Sequence, residues 1–422
     1  MFTTSDHAPG STTAPVAAAS VRRRLGDELL PVLTDFRPLH ASPAIPQSRL
    51  LAVTAQLYAA ARCIKERADD PVSIAAIEAD EQLRMSHFGV SPEIIATRAI
   101  ATVPESWLGE GRIDLAATAL SAAFASDPQG APLETRLAEY DRIVQAVAER
   151  AYPIDEPSPD EIVHVTTTGY LLPSPVERFV ARRRWATGVT HAYHMGCYGA
   201  IPGVRIAEGL LASRLHGRRP PQRIDLFHSE VNGIHFNPTH RRPADIIGAT
   251  LFGDGFIRYS LVHATRDRPP TTGGLALLAA HEAMIPDSAD EMTWSLGSHN
   301  FRLHLSSQVS PRIGAAIRPF VHDLLARVDL DFARERERLV YAVHPGGTRI
   351  VEAVQRALEL RPEQVARSYE ALRRHGNMAS ATLPTILAGI IADPDIAPGA
   401  RIVIIGLGPG LTAAGLLAEK LA

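Results

Sequence analysis

The sequence predicts an α/β protein whose buried mixed sheet is shared by two similar halves. β-branched or apolar runs such as EIVHVTTTG and RIDLFHSEV alternate with segments of helical periodicity, an order typical of α/β folds. The same alternation returns in the second half of the chain, where the loops again carry Gly, His and Asn. We therefore expect a duplicated core, although no repeat is visible in the sequence itself.

Composition argues against several classes of protein. The 422 residues carry a formal net charge of −3 and no basic run longer than RRR, which disfavours a nucleic acid or an acidic membrane surface as a partner. The two cysteines, Cys63 and Cys197, form no disulfide framework or cysteine metal cluster, as is typical of a reducing cytoplasm. No stretch approaches the ~18 consecutive apolar residues of a membrane span. The Ser-, Thr-, Ala- and Pro-rich start predicts a disordered leader over residues 1–45.

Helices are expected first in the predicted N-terminal half, residues 46–270. Apolar residues recur at helical spacing over 48–67, 92–101 and 134–151, with an insertion-like stretch near 105–133. Strands are then predicted at EIVHVTTTG, TGVTHAYHMG, RIDLFHSEV and GFIRYSLVHA, and a helix at CYGAIPGVRIAEGLLASRL.

The predicted C-terminal half, residues 271–422, repeats this mixture. NFRLHLS, RLVYAVHP and ARIVIIGLG are expected strands, whereas VSPRIGAAIRPFVHDLLARV, GTRIVEAVQRALEL and PEQVARSYEALRRHG are expected helices. The closing GLGPGLTAAGLLAEKLA, a Gly-rich loop before an amphipathic stretch, has the order of a dinucleotide-binding fingerprint. Only 12 residues follow Gly410, and Leu411 stands where a third glycine is needed, so we reject a nicotinamide or flavin site.

Three side chains in the connecting loops suggest acyl-transfer chemistry. Cys197 lies between a predicted strand and a predicted helix, whose N-terminus would lower the pKa of the thiol. His344 ends a predicted strand, and Asn377 lies in a Gly-containing loop. Taken singly, each is more often structural: a buried cysteine, a core histidine or a turn asparagine. Together they match a thiolate nucleophile and two hydrogen-bond donors for a thioester oxygen.

Ordered motifs strengthen this interpretation. HVTTTG, MGCYGAIPGVRIAEGL, SEVNGIHFNP, LFGDG, HPGGTRIVEAV, GNMASATLP and GLGPGLT resemble the successive motifs of the chalcone synthase, or type III polyketide synthase, family. The resemblance covers roughly 260 residues from about Glu161 onward, and it includes the 33-residue spacing from His344 to Asn377. It implies a thiolase-like fold in a layered αβαβα architecture, a homodimer, and the catalytic residues Cys197, His344 and Asn377.

The resemblance also implies positions that contact the substrate. Phe252 and Phe301 match the two phenylalanines between the family's entry tunnel and its cavity. The other implied positions are Thr167, Thr168, Asn232, His235, Ala379 and Gly408. Gly406, Gly408 and Gly410 are expected to form a backbone scaffold beside the active-site cysteine, where side chains would crowd it.

This sequence differs from the family at several positions, which limits what the resemblance predicts about its substrates and product. Asn232 and His235 replace threonines of plant members, and Ala379 replaces a serine, so the starter, the number of extensions, the cyclisation and the product stay open. The N-terminal third lacks the family's recognisable basic cluster for coenzyme A, and Arg98 is its one candidate there. Delivery on an acyl carrier protein, docking at the RRR of 182–184, is therefore an alternative to coenzyme A.

The predicted function is that of a type III polyketide synthase-like condensing enzyme. An acyl-Cys intermediate is extended by decarboxylative Claisen condensation with a malonyl-type thioester, without a redox or metal cofactor. The alternative is a carrier-protein-dependent, single-round ketosynthase III-like enzyme or a thiolase-fold acyltransferase of natural-product biosynthesis. A non-catalytic subunit is disfavoured by the intact Cys, His and Asn. His228, His235 and His240 could be considered as zinc ligands, but their spacings of seven and five fit no single helical face.

Overall fold

The computed structural model describes residues 28–213 and 221–422. The predicted leader therefore lies outside the described residues up to position 27. Beyond that point the prediction is wrong, because Leu30–Leu39 forms strand β1, in which Val32 and Leu33 are fully buried. The segment LPVLTDFRPL lacks the β-branched run that marks a strand, so only its burial between other strands reveals its role.

Thirteen strands are present in the described part of the chain. They are β1 (Leu30–Leu39), β2 (Ala44–Pro46), β3 (Thr97–Ala99), β4 (Glu161–Thr166), β5 (Gly188–Tyr193), β6 (Arg223–Glu230), β7 (Gly255–Ala264), β8 (Gly274–Met284), β9 (Met292–Leu296), β10 (Phe301–Leu305), β11 (Val340–Val343), β12 (Arg401–Gly408) and β13 (Thr412–Lys420).

Twelve α-helices accompany them in the same described residues. They are α1 (Gln47–Glu66), α2 (Pro71–Phe88), α3 (Ala119–Ala122), α4 (Leu133–Ala151), α5 (Pro175–Arg183), α6 (Ala200–Leu211), α7 (Pro243–Leu251), α8 (Val309–Ala326), α9 (Phe332–Glu335), α10 (Thr348–Leu358), α11 (Pro362–His375) and α12 (Thr382–Ala392).

A nine-stranded sheet forms the centre of the fold, in the order β11-β12-β13-β8-β1-β7-β6-β4-β5. β1 and β8 are antiparallel neighbours in its middle, where Leu33 pairs with Leu275. Outward from that pair, each side has two antiparallel pairings and then a parallel one. These are β1–β7, β7–β6 and β6–β4 on one side, and β8–β13, β13–β12 and β12–β11 on the other. The first side has one further parallel pairing, β4–β5, at its edge. The mirrored order confirms the predicted duplication of a mixed-sheet half.

Helices cover the sheet in the expected layers. α6 and α12 lie between the two sheet halves, since Val204 and Ile390 share one apolar core with Leu226 of β6 and Ile404 of β12. α4 and α5 cover the outer face of the first half, and α8 and α10 cover that of the second. The αβαβα architecture is therefore present. None of the described helices combines the length and apolarity needed to cross a bilayer.

The predicted helix over 92–101 is wrong. β3 occupies its end, and the helix lies upstream as α2. Asp70 caps α2 by accepting hydrogen bonds from the N–H groups of Val72 (3.0 Å) and Ser73 (2.9 Å), and Pro71 follows the cap directly. Because few of its side chains are buried, α2 has too weak an apolar periodicity to stand out in the sequence.

The C-terminal amphipathic stretch is a strand, β13, rather than the continuation of a cofactor-binding loop. It lies between β12 and β8 and is buried on both faces, so it lacks the alternation of a half-exposed strand. Gly408 and Thr412 face each other across the hairpin that joins β12 to β13, and Gly410 takes φ +100° in its turn. The Gly-rich loop is a hairpin turn.

Glycines in and opposite this hairpin let two backbones approach closely. A Cβ on Gly408 would lie 2.3 Å from Cδ1 of Tyr198, which follows Cys197 in a short 3-10 turn. From the other side, a Cβ on Gly196 would lie 2.4 Å from Cδ of Pro409. Of the three glycines expected beside the cysteine, Gly406 and Gly408 pack against Tyr198 of this turn, whereas a Cβ on Gly410 would meet Met284 instead.

A buried carboxyl group links the two halves near this turn. Glu230, at the end of β6, is fully buried and accepts hydrogen bonds from the N–H of Thr167 (3.0 Å) and the hydroxyl of Thr168 (3.0 Å). It also accepts one from the hydroxyl of Ser380 in the second half. Burial raises the pKa of Glu230 to about 7, although these donors act to lower it.

We expect Gly408→Ala to displace Tyr198, because the added methyl group has no room. The free energy of unfolding should fall by about 1–3 kcal/mol, as for overpacked sites, when it is measured by denaturant unfolding. Gly389→Ala in α12 is the matched control: no atom lies within 4 Å of an added Cβ there, and alanine is the better helix former. Equal stability of the two variants would contradict the close approach.

Stability should also fall as pH rises from about 4.5 to about 7 because of Glu230. Its carboxyl group stays protonated in the folded protein up to a pKa of about 7 but ionises near its ordinary value of 4.5 in the unfolded chain. At about 1.4 kcal/mol per pKa unit, the whole effect is on the order of 3–4 kcal/mol. Glu230→Gln cannot ionise and should flatten this slope in denaturant melts at about pH 5, 6 and 7. A slope that the substitution leaves unchanged would assign the pH dependence to another group.

Candidate active site

Cys197 lies in the turn between the first-half strand β5 and helix α6. The turn is a 3-10 segment, Gly196–Tyr198, in which Gly196 takes φ +73°, a conformation that favours glycine. α6 itself begins at Ala200. The cysteine is half-buried and lines a cavity at the carboxyl end of β5, the edge where ligand sites of α/β folds gather.

His344 follows the second-half strand β11 directly. Its backbone N–H donates to the carbonyl of Ile405 at 2.8 Å, next to the parallel pairing of β11 with β12. The residue is 1% exposed, and neither Nδ1 nor Nε2 has a hydrogen-bond partner among the described residues. Because buried polar atoms are normally hydrogen-bonded, an unpaired ring on a cavity wall indicates a ligand position.

Asn377 is held by backbone bonds to the segment that ends α7. Its N–H donates to the carbonyl of Leu251 at 2.9 Å, and its own carbonyl accepts from the N–H of Gly253 at 3.0 Å. Its side-chain Oδ1 accepts from the N–H of Ala379 at 2.9 Å. This bond fixes the orientation of the amide, so Nδ2 lies 3.8 Å from Sγ of Cys197 as the donor.

The three side chains lie together on the wall of one cavity of about 190 Å³, the reaction cavity. Cys197 comes from the first half of the fold, and His344 and Asn377 come from the second. Four other residues predicted from the sequence also line it: Thr167, Asn232, Phe252 and Ala379. Apolar side chains such as Leu305 and Ile313 supply much of the remaining wall, so a ligand finds polar partners at few positions.

Four predicted site residues lie outside the reaction cavity. His235 and Phe301 line a neighbouring cavity, where their ring centroids stack at 4.3 Å. Thr168 is fully buried beside β6, and Gly408 packs behind the 3-10 turn. The two predicted phenylalanines therefore have different surroundings, because Phe252 lines both cavities and Phe301 only the neighbouring one.

Most wall residues of the reaction cavity were not predicted from the sequence, and three of them have side chains of particular interest. Met292 and Trp294 lie on β9, which pairs with β10 in a ribbon outside the main sheet. Their spacing of two residues is the signal that could have found them, since side chains two apart share a face of a strand. Arg349 of α10, exposed, is the one charged side chain among the described residues of the wall.

Burial dominates the protonation states of the site. It raises the pKa of the Cys197 thiol to about 12, although the hydrogen bond from Asn377 opposes this effect. The lowered thiol pKa expected from the helix N-terminus is therefore wrong, because the loss of hydration outweighs the helix dipole. Burial likewise lowers the pKa of His344 to about 3. Burial thus disfavours the charged form of both side chains in the unliganded site.

The basic residues considered for substrate delivery are engaged elsewhere. Arg98 is 1% exposed and donates to the carbonyl of Phe252, while burial lowers its pKa to about 10. It cannot reach a phosphate at the surface, so its predicted role is wrong. Arg182 and Arg183 lie on α5, where both pair with Glu149, at 3.1 and 2.8 Å.

Two of the three histidines considered as zinc ligands, His228 and His235, make side-chain hydrogen bonds within the protein. His228 contacts the hydroxyl groups of Ser380 and Tyr259, each at 3.1 Å. His235 contacts the carbonyl of Thr168 at 2.7 Å. In the part of the chain that the structure describes, no group of three or more His, Cys, Asp or Glu side chains is arranged to hold a metal ion.

Comparison with known proteins agrees with this geometry. Residues 276–422 match the family model for the C-terminal domain of chalcone and stilbene synthases, a range that includes His344 and Asn377. The chain is 29% identical over 234 residues to type III polyketide synthase C of Arabidopsis thaliana, covering 54% of this chain and 58% of that protein. A putative chalcone synthase of Bacillus subtilis is 26% identical over 263 residues, 61% of this chain and 70% of the relative. The chain thus spans little more than half the length of the first of these relatives.

The three-dimensional likeness extends over nearly the whole chain. The crystal structure of PKS-I from the brown alga Ectocarpus siliculosus superimposes with a TM-score of 0.73 at 22% identity, covering 94% of this chain and 100% of that one. At this identity the likeness shows the shared fold. Residues 276–422 thus match the C-terminal domain of chalcone and stilbene synthases, and the described chain shares the thiolase-like fold of the superimposed structure.

Proposed function

We propose that this chain is a type III polyketide synthase-like condensing enzyme. One observation carries the proposal: Sγ of Cys197, the unpaired ring nitrogens of His344 and the amide of Asn377 share the wall of the reaction cavity. A thiol nucleophile with two nearby hydrogen-bond donors suits a thioester carbonyl, whose oxygen gains negative charge when it is attacked. The names of the relatives described above support the same chemistry.

Acyl loading begins with the thiol of Cys197. His344 accepts the thiol proton as the sulfur attacks the starter carbonyl. The C=O electron pair moves to the oxygen, which accepts a hydrogen bond from Nδ2 of Asn377. Collapse of this intermediate expels the carrier thiolate, which takes the proton from His344. The products are acyl-Cys197 and a free carrier thiol.

Chain extension uses the same donors. A malonyl-type thioester loses carbon dioxide, and the electron pair of the broken C–C bond forms a thioester enolate whose oxygen is held by His344 and Asn377. The enolate carbon attacks the carbonyl of acyl-Cys197, a new C–C bond forms, and the sulfur leaves as a thiolate. Since the thioester itself stabilises the carbanion and no electron is transferred, these steps require no redox or metal cofactor.

The proposed substrates are acyl and malonyl thioesters of coenzyme A or of an acyl carrier protein. Both carriers present the thioester on a phosphopantetheine arm. The exposed guanidinium group of Arg349 on the cavity wall suits the phosphate of either arm. The salt bridges of Arg182 and Arg183 with Glu149 weaken the case for carrier docking on α5.

The proposed organisation is two thiolase halves, residues 46–270 and 271–422, with β1 added to the first half from the preceding segment. We further propose a cytoplasmic homodimer. The family relationship supports the dimer, and the two free cysteines, Cys63 and Cys197, fit a reducing setting.

A single-round ketosynthase III-like enzyme or acyltransferase is the second candidate. The small reaction cavity favours it, because about 190 Å³ is little more than the apolar cavity of about 150 Å³ that accepts one benzene molecule. Incubation with a panel of acyl-coenzyme A starters and malonyl-coenzyme A, followed by mass spectrometry, separates the two. Products with two or more malonyl-derived units support polyketide synthesis, whereas one unit supports the single round.

Cys197→Ala should abolish acyl loading, since no other described thiol lies on the wall of the reaction cavity. Intact-mass spectra after incubation with an acyl-coenzyme A should show an adduct, removable by hydroxylamine, in the wild type and none in the variant. Cys63→Ala, in α1, is the matched control and should load normally. An adduct that persists in Cys197→Ala would refute the nucleophile assignment.

His344→Ala and Asn377→Ala should each lose malonyl decarboxylation, measured as carbon dioxide release from malonyl-coenzyme A. Loss of one donor to a developing oxyanion costs about 2.7–4 kcal/mol, or roughly 10²–10³ in rate. His344→Gln keeps a donor but no base, so it should retain more decarboxylation than His344→Ala while its acyl loading stays slow. Decarboxylation at the wild-type rate in both alanine variants is the result that would reject these roles.

A further inference from the structure

A series of hydrogen-bonded side chains leads through the first half of the fold to Glu230, and the chemistry proposed above does not use it. The series, which we call the relay, consists of Tyr193, His164, Ser229, Tyr140, Thr166 and Thr168. Tyr193 lies on β5, the edge strand of the sheet, and is partly exposed, whereas the other five residues are fully buried. The relay therefore connects the edge of the sheet with a carboxyl group in the interior.

At its inner end the relay meets Glu230. The Thr168 hydroxyl donates to Oε2 of Glu230 at 3.0 Å and lies 3.4 Å from the hydroxyl of Thr166. Tyr140 donates to that Thr166 hydroxyl at 3.1 Å. Thr166 also donates to the carbonyl of Ser229 at 2.7 Å, so its hydrogen must rotate from this carbonyl towards Thr168 to complete the series. This step is the longest in the relay.

At its outer end the relay passes through a histidine. The hydroxyls of Tyr140 and Ser229 lie 2.8 Å apart, and Nε2 of His164 lies 2.8 Å from the Ser229 hydroxyl. Nδ1 of His164 lies 3.1 Å from the hydroxyl of Tyr193. Burial lowers the pKa of His164 to about 3, which favours the neutral ring. A neutral imidazole donates from one nitrogen and accepts at the other, so His164 fits between two hydroxyl groups.

Every member of the relay can accept a hydrogen on one side and donate its own on the other. Tyr140 donates towards Thr166, and Thr168 donates towards Glu230, so both of these bonds point to the carboxyl group. With its hydrogen on Nε2, His164 continues the same direction. A proton taken up at the outer end thus reaches Glu230 when each member transfers its own hydrogen and receives that of its neighbour.

Chain extension consumes one proton in each round. During loading, the thiol proton of Cys197 leaves with the carrier as its thiol. During condensation, the malonyl carboxylate leaves as neutral carbon dioxide, and the sulfur of Cys197 leaves as a thiolate. An acyl thioester, an ionised malonyl thioester and one proton therefore yield a β-keto thioester, carbon dioxide and one free thiol. The substrate then occupies the reaction cavity, whose largely apolar wall offers few partners for water.

Thr167 connects Glu230 with the reaction cavity. It lines that cavity, and its N–H donates to Glu230 at 3.0 Å. Its hydroxyl is buried and has no hydrogen-bond partner among the described residues, so it is available to a group that enters the site. Burial raises the pKa of Glu230 to about 7, and a group with such a pKa both gives and takes protons near neutral pH.

We propose that the relay supplies Glu230 with the proton that each extension consumes. Glu230 transfers its proton to the sulfur of Cys197 by way of the Thr167 hydroxyl, which gives up its own hydrogen and takes that of the carboxyl group. The relay then returns a proton from solvent at Tyr193, so Glu230 ends the round protonated as it began. The use of this proton in extension rests on the proposed function, whereas its conduction to Glu230 does not.

A second series of hydrogen bonds from Glu230 provides the control. Ser380 donates to Glu230, and His228 contacts the hydroxyls of Ser380 and Tyr259, each at 3.1 Å. Tyr259 is 1% exposed, so within the described residues this series ends in the interior. Tyr259→Phe removes a buried hydroxyl that contacts a histidine but leaves the relay intact.

The first test measures how fast Glu230 takes up a proton. Time-resolved infrared spectroscopy follows its carboxyl band after a rapid drop from about pH 8 to about pH 6, a range that spans the pKa of about 7. Glu230→Gln identifies the band. In a Cys63→Ala background, N-benzylmaleimide on Cys197 occupies the reaction cavity and excludes protonation from that side.

Tyr140→Phe and Tyr193→Phe each remove one relay hydroxyl and keep the ring. Each should slow proton uptake by Glu230 roughly 10²-fold, the lower range of what a positioned proton donor contributes. Tyr259→Phe should match the unsubstituted background. Tyr193→Phe, on the partly exposed edge strand, is an independent variant should Tyr140→Phe fail to fold.

The second test measures the use of this proton in unlabelled protein. Tyr140→Phe and Tyr193→Phe should load an acyl group on Cys197 within about twofold of the wild-type rate, since loading has no net proton uptake. Steady-state consumption of malonyl-coenzyme A should fall about tenfold in both, because proton uptake then limits turnover. Added imidazole, a small proton donor, should restore part of this loss, an effect that a purely structural defect would not show.

The outcomes separate this inference from the proposed function. Uptake at the unsubstituted rate in folded Tyr140→Phe and Tyr193→Phe would overturn the relay. Equal slowing in Tyr259→Phe would also overturn it, because the loss of any buried hydroxyl would then have the same effect. Slow uptake together with unchanged malonyl consumption would overturn the role in extension. A wild-type protein that loads no acyl group would overturn the proposed function, while the infrared test of proton conduction would stand.

Discussion

The proposed active site depends on one constraint: polar side chains must stay buried without hydrogen-bond partners in the protein. An unsatisfied buried polar group costs about 1–3 kcal/mol, so the His344 ring would turn towards a protein partner if the backbone allowed it. The bond from its N–H to Ile405 fixes the backbone at that point. Asn377 is held from both sides in the same way, and Ala379 takes the left-handed φ of 48° while donating to its side-chain oxygen. Such strain persists only where the surrounding structure imposes it.

The site is divided between two mirrored halves. Many contacts elsewhere in the fold are therefore needed to keep its side chains aligned. Cys197 depends on the position of β5 and α6, whereas His344 and Asn377 depend on β11 and on the end of α11. The halves are joined by the β1–β8 pair, by the shared core around α6 and α12, and by the hydrogen bonds of Glu230 to both sides. Relative movement of the halves would change the distance between Sγ and the amide nitrogen, so these joints maintain the site.

Local patterns in the sequence were sufficient to identify the proposed catalytic side chains. They were not sufficient to predict which residues surround those side chains. Cys197, His344 and Asn377 lie in loops whose glycines and flanking strands are visible in the sequence. β1 and β13 were missed because a strand with neighbours on both sides and both faces covered has no alternating pattern. The direction of the thiol pKa depends on what encloses the sulfur, and residues distant in sequence decide that. Trp294 was missed for the same reason, since its place on the cavity wall follows from a ribbon packed outside the main sheet.

The interior position of β13 affects how the sheet can form during translation. β8 and β12 are both made earlier, yet in the finished sheet each is paired with β13, which follows both of them in the chain. Until translation reaches that segment, both strands expose unpaired N–H and C=O groups to any other extended chain. β1, the first strand of the described residues, likewise stays unpaired until β7 and β8 have been made. The nascent chain therefore carries open sheet edges until β13 has been made, so the first half cannot complete its sheet as an independently finished domain.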